Sequence, residues 1–323
     1  MPDMPRHPWA HYLLRRATRF LVSMALLVTA TFAMVHAIPG DPVRAALGAT
    51  ASPELVAAKT HELGLDLPVW QQYVRYLAGL FSGELGTSMT SGLPVAQTIA
   101  DRLPYTSLLA AVALAVVMLV AVPVGMAMAA VTRGGRGRVS ELLFTGVAGF
   151  LAVVPEFLLA VCLVALFAMG LEWLPVADVT GSMGPEFYIL PALALAIGPA
   201  AALARIVRVE GLQVLASDYV RTARAKRLPA RVVHLRHALP NLLTSALTIG
   251  GLLVSGLVAG SVLVENVFAW PGLGTALVEA IRAKDFPVVQ GVVLIYGSAV
   301  LLVNFGVDLL LGRLDPRSVI GES

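Results

Sequence analysis

The sequence predicts an all-α polytopic membrane protein of about six transmembrane helices. Three observations carry that prediction. Of the 323 residues, 58% are hydrophobic and only 13% charged, whereas a water-facing globular chain runs near ~25% charged. The apolar residues are gathered into runs long enough to cross a hydrocarbon core of ~30 Å, which takes about 20 helical residues. Most of the basic residues outside the runs fall on one set of alternate segments, as the positive-inside rule expects of a membrane protein.

The runs cover residues 20–38, 105–131, 142–169, 188–209, 242–264 and 288–311. Their ionisable residues are His36, Glu156, Arg205, Arg208 and Asp308. Arg205 and Arg208 stand where the fourth run ends and are placed to snorkel to the interface. Asp308 is likewise near an end, so Glu156 is the one acid expected in mid-span. Pro123 and Pro155 are expected to kink the second and third spans. The first run follows Arg15, Arg16 and Arg19, and Val35-His36-Ala37 has the look of a signal-peptide cleavage site. The run is longer than a typical signal core, and Pro39 would follow the cut directly, so it is read as a retained span. Cys162, the single cysteine, excludes an intrachain disulfide and a thiolate metal cluster and reads as a small packed hydrophobe.

With the N-terminus in the cytoplasm and six crossings, 17 of the 23 Lys and Arg are cytoplasmic. The net charge of +3 and the pI near 9.2 then follow from orientation, with no nucleic-acid partner needed. The chain divides into a cytoplasmic N-terminus and first helix (1–38), an external helical segment (39–104), a transmembrane domain (105–317) with a cytoplasmic loop at 210–240, and a cytoplasmic tail (318–323). Both termini are expected inside.

Two connections are too long to be simple links. In the external segment Ser52-Pro53-Glu54 reads as N-cap, first-turn proline and first-turn acid, with Gly64 closing that helix. Pro68 opens a second helix with Val69, Tyr73, Leu77 and Leu80 on one face. Gly83, Gly86 and Gly92 break the chain, and 94–103 is expected to form a third short helix. The segment is either a lid on the membrane surface or a docking surface for an external partner. In the cytoplasmic loop, Ser217-Asp218 caps a short helix to Ala225, and Leu228-Pro229 starts another up to Leu239. The loop carries Arg221, Arg224, Lys226, Arg227, Arg231 and Arg236. A solvated basic loop touching anionic lipid and a shaped protein-docking surface are both compatible with this pattern.

The chain has no phosphate-binding G-x-x-x-x-G-K-[ST] loop and no H-E-x-x-H, since His61-Glu62 lacks its second histidine. It has no G-x-S-x-G elbow. Gly134-Gly135-Arg136-Gly137 is a tight loop with no strand before it. Ion-coupled carriers usually hold several polar groups at the midplane, and one glutamate points instead to a pore powered from outside.

Several segments in order resemble the membrane-spanning permease subunits of ATP-binding-cassette importers of the peptide/nickel group. They are Pro39-Gly40-Asp41-Pro42, Leu63-Gly64-Leu65-Asp66-Leu67-Pro68, Gly83-Glu84-Leu85-Gly86-Thr87-Ser88 (similar to G-D-L-G-x-S) and Arg102-Leu103-Pro104-Tyr105-Thr106. Further on come Val267-Phe268-Ala269-Trp270-Pro271-Gly272-Leu273-Gly274, Asp285-Phe286-Pro287-Val288-Val289-Gln290-Gly291 and Leu314-Asp315-Pro316-Arg317. The long external region resembles that of the first-named subunit of the dipeptide/oligopeptide permease pair. Asp218-Tyr219-Val220-Arg221-Thr222-Ala223-Arg224-Ala225-Lys226 and His237-Ala238-Leu239-Pro240 resemble the E-A-A loop, whose spacing is E-A-A, three residues, Gly, nine residues, I-x-L-P. Arg227 stands at the glycine. Either the turn differs there or a left-handed arginine carries a cost of about 1–2 kcal/mol.

The resemblance implies a bacterial plasma-membrane importer in which a second permease subunit, two ATPase subunits that bind ATP and Mg, and an external substrate-binding protein complete the machine. It implies no cofactor, metal or catalytic residue in this chain. Asp218, Tyr219, Arg221, Thr222, Ala223, Arg224, Ala225, Arg227 and Pro240 are the implied ATPase-coupling residues, and Glu156 is the candidate on the translocation path. Peptides are the expected solute; nickel, glutathione and oligosaccharides are alternatives within the group. A stand-alone ion-coupled carrier or channel is the alternative outside it. Gly256-Leu257-Val258-Ala259-Gly260 either brings two helices close or serves intrachain packing.

Overall fold

The computed structural model describes residues 8–37, 42–48, 51–176, 184–229, 232, 233, 236 and 239–314. The connection between the third and fourth runs, the helix expected from Leu228-Pro229 to Leu239 and the 314–317 segment lie partly outside them. Within the described residues the chain is helical. The helices are α1 (Pro8–Ala37), α2 (Pro42–Leu47), α3 (Pro53–Glu62), α4 (Val69–Ser82), α5 (Val95–Thr132), α6 (Arg138–Val153) and α7 (Glu156–Leu163, extended by a wide turn over Val164–Gly170). They continue with α8 (Glu186–Ala216), α9 (Asp218–Ala225), α10 (Leu239–Val267), α11 (Leu273–Ala283) and α12 (Phe286–Leu314).

Four helical stretches are long and apolar enough to cross a membrane: Tyr12–His36, Val95–Gly135, Glu186–Ala216 and Phe286–Leu310. The α6–α7 pair makes a fifth if its two halves are counted as one span. The remaining predicted run, 242–264, lies inside α10, whose 29 residues exceed the ~20 that a crossing needs.

α5 and α8 form the centre of the bundle. A side chain at Gly125 would put its Cβ 2.6 Å from the Ala204 carbonyl and 2.6 Å from Val207 Cγ1, so the two backbones meet where glycine and alanine leave room. Around that crossing Val117, Ala121 and Ala129 pack against Ala196, Leu203 and Val207. α1 is peripheral and rides on α12. Arg16 Nη1 meets Asp308 Oδ2 at 2.9 Å, the Tyr12 hydroxyl donates to the Asp308 carbonyl at 2.7 Å, and the rings of Phe20 and Phe305 lie 5.0 Å apart.

The segment before α5 follows its local cap and stop signals. The Ser52 hydroxyl accepts the Leu55 N–H at 3.2 Å, and Gly64 takes a left-handed φ of 67° just past α3. α4 lies against the outer end of α1: Tyr73 and Thr29 share a hydroxyl hydrogen bond of 2.8 Å, and His36 Nε2 meets Gln72 Oε1 at 3.0 Å. The packed face therefore runs through Gln72, Tyr73 and Tyr76, while Val69 of the predicted stripe is exposed with Trp70, Val74 and Phe81.

Four expectations need correction. Residues 94–103 form no separate helix; they are the first turns of α5. Pro104 removes one ladder bond, but Val95, Ile99, Thr106 and Leu109 are buried on both sides of it and hold the helix together. Pro123 also lies inside the continuous α5. Pro155 does far more than kink its span, because α6 and α7 meet at 98°. Cys162 is exposed on a helix that faces an apolar solvent rather than a protein core. Arg208 does not snorkel. α8 continues past it to Ala216, and its side chain, 11% exposed, binds Glu141 Oε1 at 2.6 Å and donates to Thr132 Oγ1 at 3.1 Å.

That last cluster ties the end of α5 and the start of α6 to α8. Arg208→Ala leaves Glu141 and Thr132 without their donor and is expected to cost on the order of 1–2 kcal/mol, between the values for exposed and buried pairs. A thermal melt of the detergent-purified protein checks this. The transition should fall for Arg208→Ala and stay put for Arg205→Ala, whose side chain is exposed.

Candidate functional site

α9 is short and two-faced. Val220 and Ala223, one turn apart, are buried in the same core cluster as Val207 and Leu215. Asp218, Tyr219, Arg221, Thr222 and Ala225 are exposed. The backbone of Ser217 is extended, and its carbonyl accepts the Arg221 N–H at 3.0 Å, opening the helix. The Ser217 hydroxyl turns back to the Val214 carbonyl at 2.5 Å and is not the side-chain cap that the sequence suggested. Asp218 instead pairs with Arg221 along the helix at 3.3 Å.

The end of α9 settles the question of Arg227. Its φ is 55°, and the Leu228 N–H reaches back to the Ala223 carbonyl at 3.4 Å. That bond and the left-handed residue before it make a Schellman stop, in which the position held by Arg227 normally takes glycine. The expected turn is present, and the strain of a left-handed arginine is carried. Pro240 is the second residue of α10, where a missing N–H is harmless and a fixed φ favours the helix. The residues that the resemblance implies for coupling thus sit on α9, its stop and the start of α10. Glu156 is on a different element, α7. Of Arg224, only the backbone, within α9, is described.

Each of three acids stands at a break between helices. Glu265 is in the last turn of α10, has no exposed surface and was not singled out from the sequence, because the apolar run was cut at Val264. Its carboxylate accepts the Thr106 hydroxyl at 2.8 Å and the Gly274 N–H at 2.7 Å. Thr106 Oγ1 in turn accepts the Leu273 N–H at 2.9 Å. Leu273 and Gly274 open α11, so Glu265 and Thr106 together cap the first amides of a helix that follows in sequence but has no cap of its own. The glycines of Pro271-Gly272-Leu273-Gly274 are explained by the same contact. A Cβ at Gly272 would overlap the carboxylate and Thr106, and one at Gly274 would lie 2.8 Å from Glu265 Oε2. A signal was available: an acid in the last turn of a helix opposes the macrodipole and implies a specific donor nearby.

Asp285 stands between α11 and α12 and is buried. It accepts the Ser88 hydroxyl at 2.5 Å and the amides of Met89 at 3.0 Å and Thr90 at 3.3 Å. The turn after α4 is thereby clasped to the bundle. The Gly83, Gly86 and Gly92 turns around it all have left-handed φ values.

Glu156 is the first residue of α7, directly after the 98° break. It borders a cavity of about 530 Å³. Its carboxylate lies against Gly260, where a Cβ would overlap it. Gly256, the other half of the G-x-x-x-G, has open space beside it, so only Gly260 serves intrachain packing.

The short, half-seated α9 thus stands among helices long and apolar enough to cross a membrane. The comparisons give the class of protein. The family described as the binding-protein-dependent transport system inner membrane component matches residues 121–319, and its N-terminal companion matches residues 9–110. The chain is 35% identical over 306 residues to the glutathione transport system permease protein GsiC of Pectobacterium atrosepticum, covering 95% of this chain and 98% of that one. The GsiC of Salmonella paratyphi A is 35% identical over 307 residues with the same coverage. The dipeptide transport system permease protein DppB of Escherichia coli K12 is 37% identical over 335 residues, again covering 95% and 98%.

The chain belongs to this family: it is a multi-pass permease subunit of a bacterial ATP-binding-cassette importer of the peptide/nickel group. It is a transport subunit and not an enzyme; in this family ATP is bound by partner ATPases.

Removing Glu265 leaves the Gly274 amide and the Thr106 hydroxyl unpaired in the interior. Glu265→Ala is expected to cost about 1–3 kcal/mol for each group so stranded, and Glu265→Gln less, since it keeps one acceptor. The folded yield after detergent extraction and the melting temperature should rank wild type, Gln, Ala.

Proposed function

We propose that this chain forms half of the translocation pathway of an importer for small peptides, alongside a second, non-identical permease. Relatives named for dipeptide and for glutathione transport match it over the same 95% of its length. Both solutes are short peptide-like molecules, and that shared chemistry supports peptide over nickel or sugar. We place both termini in the cytoplasm on the charge asymmetry of the loops.

The observation that carries the coupling role is α9. Its buried face, Val220 and Ala223, fixes it to the bundle, and its exposed face offers Tyr219, Arg221 and Thr222 to a partner. A push on α9 from an ATPase is passed to α5 and α8 through packed side chains, because a close-packed contact transmits displacement with little compression. The strained stop at Arg227 and Pro240 in the first turn of α10 limit how far the loop can yield. A basic loop resting on lipid would have no need of a seated helix. The apolar outward face of α4, with Trp70 and Phe81, suits the membrane interface, and the turn clasped by Asp285 is the part of the external segment fit to meet a binding protein.

Arg221→Glu, on the exposed face, is expected to lower uptake of a radiolabelled dipeptide by at least about tenfold and to release the ATPase during purification, with membrane insertion unchanged. Deleting residues 217–226 should do the same. An ATPase that co-purifies normally with the deletion variant would contradict the assignment.

A further inference from the structure

Of the three acids at helix breaks, Glu265 and Asp285 are saturated by donors of this chain, and Glu156 is not. Among the described residues it has neither a hydrogen-bond nor an ion-pair partner. Its cavity, about 530 Å³, is within the range that small ligands occupy, roughly 300–1,000 Å³. The wall around it is apolar, with Val153, Phe157 and Leu263, and two of its residues, Pro155 and Pro199, have no N–H to offer. Gly260 is held free of a side chain at the point where the carboxylate rests. The site therefore carries one negative group, space beside it and few donors. A carboxylate within the membrane is costly unless a counter-charge reaches it, and broken helices at the middle of a transporter are where solutes and cations are held.

We propose that Glu156 receives the primary ammonium group of the transported solute as it passes through the cavity. The inference rests on the importer reading above and names the feature of the solute that this chain would recognise. Dipeptides and glutathione each carry one free ammonium on a body small enough for the cavity. A charge-assisted contact of this kind is directional and strong, yet one such contact in an otherwise apolar site lets the solute leave again.

The test uses the complete importer in proteoliposomes, with the binding protein saturated by either of two probes, alanyl-alanine or its hydroxy counterpart lactoyl-alanine. Glu156→Gln should reduce import of alanyl-alanine about tenfold or more per ATP hydrolysed, as loss of a charged hydrogen bond implies, and leave import of lactoyl-alanine as in wild type. Glu156→Asp should restore most of the difference. ATP hydrolysis stimulated by the loaded binding protein should stay within about twofold of wild type. Equal loss for both probes, or no loss for either, would overturn the inference, as would a wild-type importer that moves no amine-bearing probe, glutathione included. A chain that brings no ATPase with it would instead strike the importer reading itself.

Discussion

A hydrocarbon solvent offers no hydrogen bonds, so every interruption of a membrane helix must be closed by the protein itself. The rest of this structure depends on how that is done at the turn between α10 and α11. There a helix stops, reverses around the buried Trp270 and starts again, with its first amides inside the fold. Glu265 and Thr106 meet those amides, Thr106 from α5 and Glu265 from α10. Trp270 seals the turn, buried, with its indole N–H donating to the Tyr105 carbonyl at 3.3 Å and its ring edge-on to Tyr188 at 4.6 Å. One carboxylate thus fixes α5, α10 and α11 to each other.

The same rule explains the two other breaks and the difference between them. At the α11–α12 turn the Asp285 N–H donates to the Ala280 carbonyl at 2.8 Å, and its carboxylate holds the turn after α4, joining that segment to the bundle by hydrogen bonds as well as by packing. Glu156 follows the 98° break and is left with a cavity instead of a donor. At the opposite end of the function, α9 obeys water's rules rather than the bilayer's: a buried apolar edge, a polar face outward and a glycine-type stop occupied by Arg227.

Much of this was legible in the sequence. Apolar run length and the placement of arginine are strong, local signals, and they located the spans and both long connections. Caps and stops that use adjacent residues, such as Ser52-Pro53 and Gly64, were read correctly for the same reason. What was lost is what depends on partners far along the chain. Glu265 is bonded to Thr106, 159 residues away, and Asp285 to Ser88, 197 residues away; no window on the sequence contains both. Arg208 looked like an interfacial cation until Glu141 and Thr132 were found beside it. Pro155 and Pro123 look alike in sequence, yet only the first breaks its helix. Composition and pattern carry no mark of the solute; the relatives and the surroundings of Glu156 bear on it.

The central claim is that this chain works as one half of a permease pair mounted on ATPases. Native mass spectrometry of the tagged chain, released gently from its own membrane, tests it most directly. The predicted result is an assembly holding one copy of this chain, one of a second permease and two ATPase subunits. A chain released alone, or bound only to copies of itself, while solute transport persists in the same preparation, would contradict it.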